Sequence, residues 1–279
     1  MRSMKDRTVV ITGPTSGIGK QIAIGCASLG ANLVLGCRDE AAGKAMAAEL
    51  GRGPDGPSID VIPVDLASRK SIEAFAKKLR EGHARFDVLV NNAGVSRGSQ
   101  PRVKSVDGVE LTFATNVLGY FLTSRLLLPR LRENASARIV NVASTFASDL
   151  DLDDLQFTAR PYEGMKAYAQ SKACDRLLTW ALARRLEGSP VTANAMAPGL
   201  IVDTGLYRHS PEEVMARLRP RGGGRTPSDG ADTAVWLASS PDVEGVTGKF
   251  FENRKEIPCS FRNREVEERL WSICETLTR

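Results

Sequence analysis

Tyr168 and Lys172 have residue types and a spacing that could support proton transfer. They lie four residues apart in a segment that predicts a helix beginning near Pro161, and residues four apart share one face of a helix. A free tyrosine has a pKa of about 10, so it needs a nearby cation to exchange a proton near neutral pH. The same spacing is also common on helices without a catalytic role. The pair therefore indicates acid–base chemistry only together with other residues of a site.

A glycine-rich turn at residues 11–19, ITGPTSGIG, joins an apolar strand to a helix. Gly13 can form a tight bend, Gly17 can let the backbone approach a bulky anion, and Gly19 can let the helix lie close to the strand. Free amides at the start of this helix would then bind a pyrophosphate. Glycine turns also end strands where no ligand binds, but a position between strand and helix favours a nucleotide site.

Strands and helices alternate along the whole chain. Apolar runs predict strands at residues 9–11, 32–36, 59–64, 86–90, 138–142, 191–197 and 249–251. Helices are predicted after the glycine turn and at residues 40–50, 68–82, 106–131, from near 161, 229–239 and 266–276. We therefore expect residues 1–279 to form one α/β domain, a doubly wound parallel sheet with helices on both faces. Residues 200–225 are less regular and are interpreted as a mobile substrate lid.

Polar and small residues follow several of the predicted strands. In doubly wound sheets, ligands bind beyond the carboxyl ends of the strands, so residues at these ends should line one cleft. The residues in question are Gly13, Arg38, Asp65, Asn92, Ser144 and Pro198. Asn116 is a further candidate, because asparagine is unfavourable inside a helix and marks either a kink or a polar group with a task. Gly119 is expected to break the same helix.

The end of the second strand bears on the choice of cofactor. In a dinucleotide fold this position faces the adenosine ribose, where a carboxylate accepts hydrogen bonds from a free 2′-hydroxyl and an arginine accommodates a 2′-phosphate. Here Cys37 and Arg38 follow the strand, and Asp39 is expected to be the N-cap of the next helix. The arrangement predicts NADP(H). The alternative is that Arg38 is only a surface residue in a turn.

Six motifs in order resemble those of the classical short-chain dehydrogenase/reductases over almost the whole chain. GCRD after the second strand, RIVNVAS, LARRLEG and the ending GKFFENRKEIP with ERLW are most similar to the retinol dehydrogenase and protochlorophyllide reductase branch. The resemblance implies a Rossmann fold and an NADP-dependent oxidoreductase that interconverts a carbonyl and an alcohol. The six motifs are TGPTSGIG, NNAG, Asn116, Ser144, YAQSK at Tyr168 to Lys172, and Pro198 with Gly199.

The same resemblance implies a role for each catalytic residue. Tyr168 would be the general acid and base, and Lys172 would lower the pKa of Tyr168 and hold the nicotinamide ribose. Ser144 would bond the substrate oxygen, and Asn116 would hold a water that relays protons to Lys172. Reduction places negative charge on the carbonyl oxygen as hydride arrives, which is why such a site needs a positioned donor.

Cofactor contacts are implied along the rest of the cleft. They are Gly13, Ser16, Gly17, Ile18 and Gly19 at the pyrophosphate, Asp65 and Leu66 at the adenine, Asn92, Ala93 and Gly94 at the adenosine side, and Pro198, Gly199, Ile201 and Thr204 at the nicotinamide. Thr204 stands one residue later than the family's usual threonine, whose place Asp203 takes. Additional residues between Ser144 and Tyr168, including the acidic stretch 149–154, are expected beside the substrate entrance. They would also alter the oligomer contacts that the family usually makes through the helix of Tyr168, so a homodimer and a homotetramer both stay open as alternatives.

Composition excludes several other classes. The net charge of +5 is spread along the chain, so no nucleic-acid partner is expected. His83 and His209 form no metal motif with any of the five cysteines, so no metal site is expected. No apolar segment precedes the first strand and no later window stays apolar for eighteen residues, which predicts a cytoplasmic protein without a membrane anchor.

The substrate is expected to be a bulky, hydrophobic carbonyl or alcohol, because the predicted lid is apolar and the resemblance points the same way. Two alternatives on the same fold stay open. One is an NADPH-dependent double-bond reductase, and the other is a non-catalytic NADP(H)-sensing protein, which would not need Tyr168.

Overall fold

The computed structural model describes residues 1–51, 56–148, 150–201, 204–207, 209 and 225–279. Within these residues an eight-stranded sheet has the order β3-β2-β1-β4-β5-β6-β7-β8, with only β8 antiparallel to its neighbour. The strands are β1 Thr8–Thr12, β2 Asn32–Cys37, β3 Ile59–Pro63, β4 Val88–Asn91, β5 Ala137–Val142, β6 Val191–Ala197, β7 Phe250–Glu252 and β8 Lys255–Glu256. The predicted single α/β domain with a doubly wound sheet is confirmed.

Helices cover both faces of this sheet. They are α1 Gly17–Ser28, α2 Glu40–Leu50, α3 Arg69–Gly82, α4 Leu111–Leu131, α5 Gly164–Arg185, α6 Pro227–Ser239 and α7 Arg264–Leu277. One hydrophobic cluster joins α1 and α6 to the sheet, for example through Ile22 and Val235, and a second joins α3 and α4, for example through Phe75 and Leu122. Burial of apolar side chains on both faces explains why the strands are mostly apolar.

The strand order reverses between β1 and β4. From β1 the chain adds β2 and β3 on one side, and β4 then starts the other half of the sheet. Loops that leave neighbouring strands in opposite directions open a crevice at their carboxyl ends. The fold therefore places the glycine turn after β1 beside the NNAG segment after β4.

Helix α4 differs from its prediction in two respects. It begins at Leu111 and not at residue 106, because the Glu110 carboxylate caps it by accepting hydrogen bonds from the amides of Thr112 (2.9 Å) and Phe113 (2.7 Å). Gly119 does not break the helix. Instead, Ala114–Leu118 forms a π-helical segment, and Gly119 packs so closely on Leu66 that a Cβ atom would lie 2.8 Å from that side chain.

Helix α4 also corrects the expectation that no window of eighteen residues is apolar. Within the described residues, Leu111–Leu131 is long and apolar enough to cross a membrane, with a mean hydropathy of 1.2. However, 78% of its apolar window is buried inside the fold. Core helices with a buried apolar surface meet the same criteria of length and composition, so this helix is weak support for a membrane span.

The edge strand β8 and the predicted lid also differ from what the sequence indicated or lie outside the described residues. The two-residue edge strand β8 was missed, because a run of this length shows no periodicity. Most of the predicted lid at residues 200–225 lies outside the described residues. Of the part that is described, Gly205–Tyr207 forms a 3-10 turn.

Candidate active site

The glycine turn has the geometry of an anion cradle. Gly13 and Gly17 have φ angles of +65° and +53°, which side chains rarely adopt. A Cβ atom on Gly19 would lie 2.1 Å from the Gly13 carbonyl oxygen, so this position requires glycine. Ser16 is the N-cap of α1, yet its side chain makes no capping hydrogen bond. The first amides of α1 and this hydroxyl therefore face the cleft, as a pyrophosphate site requires.

Asn92 fixes the neighbouring loop against this cradle. Its side-chain amide donates to the carbonyl oxygens of Thr12 (2.9 Å) and Gly13 (3.0 Å). The Thr12 hydroxyl in turn accepts hydrogen bonds from the amides of Asn92 (3.0 Å) and Ala93 (3.2 Å). Asn92 lines the cleft, but both of its side-chain donors are engaged. Its geometry indicates that it shapes the cradle through the backbone.

The end of β2 presents a free cation. Arg38 is exposed, lines the cleft and makes no hydrogen bond or ion pair with any residue that the structure describes. Asp39 is the N-cap of α2, as predicted, because its carboxylate accepts from the amide of Ala42 at 2.9 Å. Cys37 is buried, and its sulfur lies against α2 beside Gly43. Burial, followed by the charges of Asp39 and Glu40, raises the pKa of Cys37.

Ser144 and Tyr168 meet at the other end of the cleft. Both residues line the cleft, and the Ser144 hydroxyl accepts a hydrogen bond from the amide of Phe146 at 3.0 Å. Burial raises the pKa of Tyr168 above its ordinary value, the Asp175 carboxylate raises it further, and the neighbouring Ser144 hydroxyl lowers it. The net direction is opposite to the lowering that was predicted from Lys172.

Lys172 lies one helical turn after Tyr168, but its ammonium group has internal partners. The side chain is 4% exposed, and Nζ donates to the carbonyl oxygen of Val142 at 2.9 Å and to the carboxylate of Asp175 at 2.8 Å. Burial would lower the pKa of Lys172, but Asp175 and the Tyr120 hydroxyl raise it above its ordinary value. Asp175 therefore balances much of the lysine charge, and burial is the main cause of the high pKa of Tyr168.

Asn116 lies in the π-helical segment of α4 and does not line the cleft as described. Its side-chain oxygen accepts from the amide of Val95 at 2.9 Å, and its amide donates to the Val95 carbonyl oxygen (3.0 Å) and to the Ser171 hydroxyl (2.9 Å). The sequence suggested either a kink or a polar group with a task at Asn116, and both hold in part. The helix is locally irregular, and the side chain joins α4 to the loop after β4. π-Helical turns are frequent at functional sites.

The loop after β6 closes the cleft. Ile201 is buried against Gly230 of α6, and Gly199 has a φ angle of +77°. Thr204 lies beside Gly17, at 3.6 Å from a Cβ atom built there. Thr204 is thus placed next to the glycine turn of the cleft. The backbone oxygen of His209 accepts from the amide of Ser99 at 3.1 Å.

Of the additional residues between Ser144 and Tyr168, residue 149 lies outside the described residues, and the described ones form a loop around Asp154. The buried carboxylate of Asp154 accepts from the amides of Thr158 (2.6 Å), Ala159 (3.1 Å) and Arg160 (3.1 Å). At the start of this loop Phe146 is 50% exposed. Its ring is stacked on that of Tyr168, with centroids 6.5 Å apart and an angle of 18° between the planes. An exposed aromatic ring therefore lies directly beside the tyrosine.

All of these parts form one cleft of about 680 Å³, within the range typical of small-molecule and cofactor sites. Every predicted site residue except Asn116 lines it. Its wall also contains Thr15, Thr115 and Val142, which were not predicted from the sequence, and neither were Asp175 and Tyr120 beside Lys172. Of these, Asp175 could have been found, because it lies three residues after Lys172 and so shares its helix face. Among the described residues, no group of three or more His, Cys, Asp or Glu side chains could hold a metal ion.

Comparisons with known proteins agree with this architecture. The family model for short chain dehydrogenases matches residues 7–214. Retinol dehydrogenase 14 of Mus musculus is 40% identical over 98% of this chain and 86% of its own length.

Two solved structures share this fold, and each contains a nicotinamide cofactor. A 3-ketoacyl-(acyl-carrier-protein) reductase from Brucella melitensis, complexed with NADH, matches with a TM-score of 0.71 and 26% identity over 90% of this chain and 98% of its own. The RhlG/NADP active-site complex of Pseudomonas aeruginosa matches with a TM-score of 0.70 and 31% identity over 89% and 95%. These two structures contain different nicotinamide cofactors, so they do not distinguish NADP from NAD.

Proposed function

The chain belongs to the short-chain dehydrogenase family, and we propose that it is an NADP(H)-dependent oxidoreductase that interconverts a carbonyl and an alcohol on a bulky, hydrophobic substrate. The observation that carries this proposal is the convergence of Ser144, Tyr168 and Lys172 at one end of a cleft whose other end is a glycine cradle. This arrangement brings a proton donor to the end of the cleft where the redox part of a dinucleotide would lie.

We infer the roles of the side chains from the family resemblance and from their positions in the cleft. A bound nicotinamide cofactor would supply or accept the hydride. The hydroxyl of Tyr168 would give its proton to the substrate oxygen in reduction and take one in oxidation, and Ser144 would hold that oxygen through a second hydrogen bond. A high pKa keeps Tyr168 protonated at neutral pH, which suits the direction of carbonyl reduction. Lys172 would hold the ribose of the cofactor with an N–H group.

Preference for NADP(H) over NAD(H) rests on Arg38. The guanidinium is exposed at the end of β2 and has no partner among the described residues. The position before it is the buried Cys37, which cannot bind ribose hydroxyls as a carboxylate does. A 2′-phosphate would give Arg38 a charge-assisted partner.

The substrate class rests on Phe146. Its half-exposed ring is stacked beside that of Tyr168, so a flat or conjugated apolar group next to the reacting carbonyl could stack on it. The similarity to a retinol dehydrogenase supports the same class by analogy.

The direct test is a screen of NADPH oxidation with lipid aldehydes, aromatic ketones and quinones, followed by identification of the product. Formation of an alcohol supports the proposal, whereas reduction of only a carbon–carbon double bond, or binding without turnover, would refute it. Tyr168→Phe should reduce turnover by about 10² to 10⁴-fold, as expected for loss of a general acid, with NADPH affinity nearly unchanged.

A matched control is Tyr162→Phe. The Tyr162 hydroxyl donates to Glu110 at 3.1 Å and does not line the cleft. This variant should retain the turnover of the wild type. If Tyr168→Phe keeps more than about a tenth of wild-type turnover, Tyr168 is not the proton donor.

A further inference from the structure

A second cavity of about 210 Å³ lies between α4, α5 and α7 and shares no lining residue with the cofactor cleft. We call it the rear crevice. Its walls are mostly apolar side chains, namely Phe121 and Leu128 of α4, Leu178 and Leu182 of α5, and Trp271 of α7. The rings of Phe121 and Trp271 meet edge to face, with centroids 4.8 Å apart. Protein interiors leave few spaces larger than a water molecule unfilled, so an apolar space of this size calls for an occupant.

Three guanidinium groups line the same crevice. Arg125 and Arg132 lie two turns apart on one face of α4, and Arg185 is the last residue of α5. Arg185 has an acidic partner, because it donates to the carboxylate of Glu268 at 3.1 Å. Arg125 and Arg132 donate only to backbone carbonyl oxygens, of Thr278 and Arg185, both at 3.3 Å, and neither is ion-paired within the part of the chain that the structure describes. Two positive charges beside an apolar space are therefore not balanced.

The polar side chains at the floor of the crevice already have partners. The carboxylate of Asp175 is 0% exposed and pairs with Lys172 at 2.8 Å, so its negative charge is balanced and shielded from the crevice. Ser124 and Asn141 both accept hydrogen bonds from the side-chain amide of Asn91, at 2.9 Å and 2.8 Å. An apolar group could therefore fill the crevice without leaving these groups unpaired, and an anion at the arginines would meet no exposed carboxylate among the lining residues.

We propose that the rear crevice binds a small amphiphile with a carboxylate head group, whose apolar chain packs against Leu128 and Trp271 and whose head pairs with Arg125 and Arg132. The planar guanidinium group matches a carboxylate in shape and charge. At about 30 Å³ for a water-sized group, the crevice holds roughly seven such groups, which corresponds to a fatty acid of about eight carbons with its head outside. This inference does not rest on the proposed oxidoreductase function, because the crevice and the cleft are separate.

The first test is calorimetric titration of the cofactor-free protein with octanoate, and with octanol as a neutral compound of the same length. Octanoate should bind with a Kd below about 1 mM, an affinity within reach of a ligand of this size. Octanol should bind at least about tenfold more weakly, because it cannot form a charge-assisted pair with a guanidinium group. The proposal is overturned if octanoate does not bind in this range, or if octanol binds equally well.

Substitutions of single arginines test the head-group contact. Arg125→Gln and Arg132→Gln should each weaken octanoate binding about three- to tenfold, because each removes one charge from a partly exposed pair. Arg130→Gln is the matched control on the same helix. Arg130 pairs with Glu133 at 2.7 Å and does not line the crevice, so this variant should bind octanoate like the wild type. If the three variants bind octanoate equally, the arginines do not hold the head group and the proposal is wrong.

Two variants locate the apolar chain of the ligand. Of the three tryptophans of the chain, Trp271 is on the wall of the crevice, so octanoate should change the fluorescence of the wild type but not that of Trp271→Phe. Leu128→Trp should fill the crevice and weaken octanoate binding at least about tenfold, while its thermal unfolding stays close to that of the wild type. A fluorescence response that persists in Trp271→Phe, or unchanged binding in folded Leu128→Trp, would place octanoate elsewhere. If Leu128→Trp unfolds, the arginine variants and Trp271→Phe decide the question.

Two controls separate the crevice from the cleft and from a protein partner. Saturating NADPH should change the affinity for octanoate less than about threefold, whereas competition between the two would place octanoate in the cleft and refute the proposal. Sedimentation velocity tests whether a second copy of the chain occupies the crevice instead. A dimer that Leu128→Trp converts to monomer would show this and would also refute the proposal. Failure of NADPH to bind would refute the proposed function alone, because the octanoate titration is made without cofactor.

Discussion

The buried carboxylate of Asp175 should make the stability of the protein depend on pH in a direction opposite to that of most acidic residues. Burial raises the pKa of Asp175 from 3.8 in the reference state to about 6. Between these two values the folded protein holds a proton that the unfolded chain has released. The contribution of Asp175 to the free energy of unfolding therefore grows as the pH falls from about 6 to about 4. This contribution is lost as the pH rises through about 6.

The magnitude follows from the size of the shift. A difference of about 2 pKa units corresponds to about 3 kcal/mol, at roughly 1.4 kcal/mol per unit. Asp175→Asn removes the titrating group and keeps the packing, so the wild type should gain about this much stability relative to the variant between about pH 7 and about pH 4. Because the side chain is fully buried, solvent screening should reduce this effect little.

The assay is urea denaturation of both cofactor-free proteins at several pH values, and Asp154→Asn provides a matched control. Burial tends to raise the pKa of Asp154, but hydrogen bonds from Thr158, Arg160 and Ala159 lower it below its ordinary value. The advantage of the wild type over this control should therefore shrink as the pH falls through the low pKa of Asp154. If Asp175→Asn shows the same sign as Asp154→Asn, or no dependence on pH, Asp175 does not hold a proton near pH 6.

Two further predictions concern the cleft. Arg38→Ala should weaken NADPH binding about tenfold and change NADH binding little. A charge-assisted contact contributes about 1.5–3 kcal/mol, and we expect the lower end of this range because Arg38 is exposed. As a control, Lys44→Ala removes an exposed charge from the same region and should change neither affinity in a fluorescence titration. Equal affinities of the wild type for both cofactors would contradict the role of Arg38. Phe146→Ala should raise the KM of conjugated substrates about two- to tenfold relative to the KM of short aliphatic substrates, because an aromatic contact is lost. An equal change in KM for both classes would show that the ring does not contact the substrate.

The sheet and the cleft could be predicted because both depend on short-range patterns. Apolar runs of three to seven residues mark the strands β1 to β6, and the residues that follow parallel strands must meet at one edge. Arg38, Asp65, Ser144 and Pro198 all line the cleft for this reason. Their individual contacts were not needed for the prediction.

The charge balance around Lys172 could not be predicted in the same way. The sequence shows that Asp175 follows Lys172 at helical spacing, but not that both are buried. The carbonyl oxygen of Val142 and the hydroxyl of Tyr120 come from β5 and α4, which only the folded chain brings together. The sign of the shift at Tyr168 depends on this burial, and for that reason the sequence analysis predicted the wrong direction.

Lys172 has three N–H groups, and the role that the family assigns to it requires one of them for the cofactor ribose. Two are bonded to Val142 and Asp175, and the ring centroid of Tyr120 lies 5.1 Å from Nζ. Protonation of Asp175 removes its negative charge and weakens one of these internal bonds, because a hydrogen bond to a neutral acceptor is weaker than one to a carboxylate. In the proposed function the binding of the cofactor by Lys172 and the protonation of Asp175 are therefore linked.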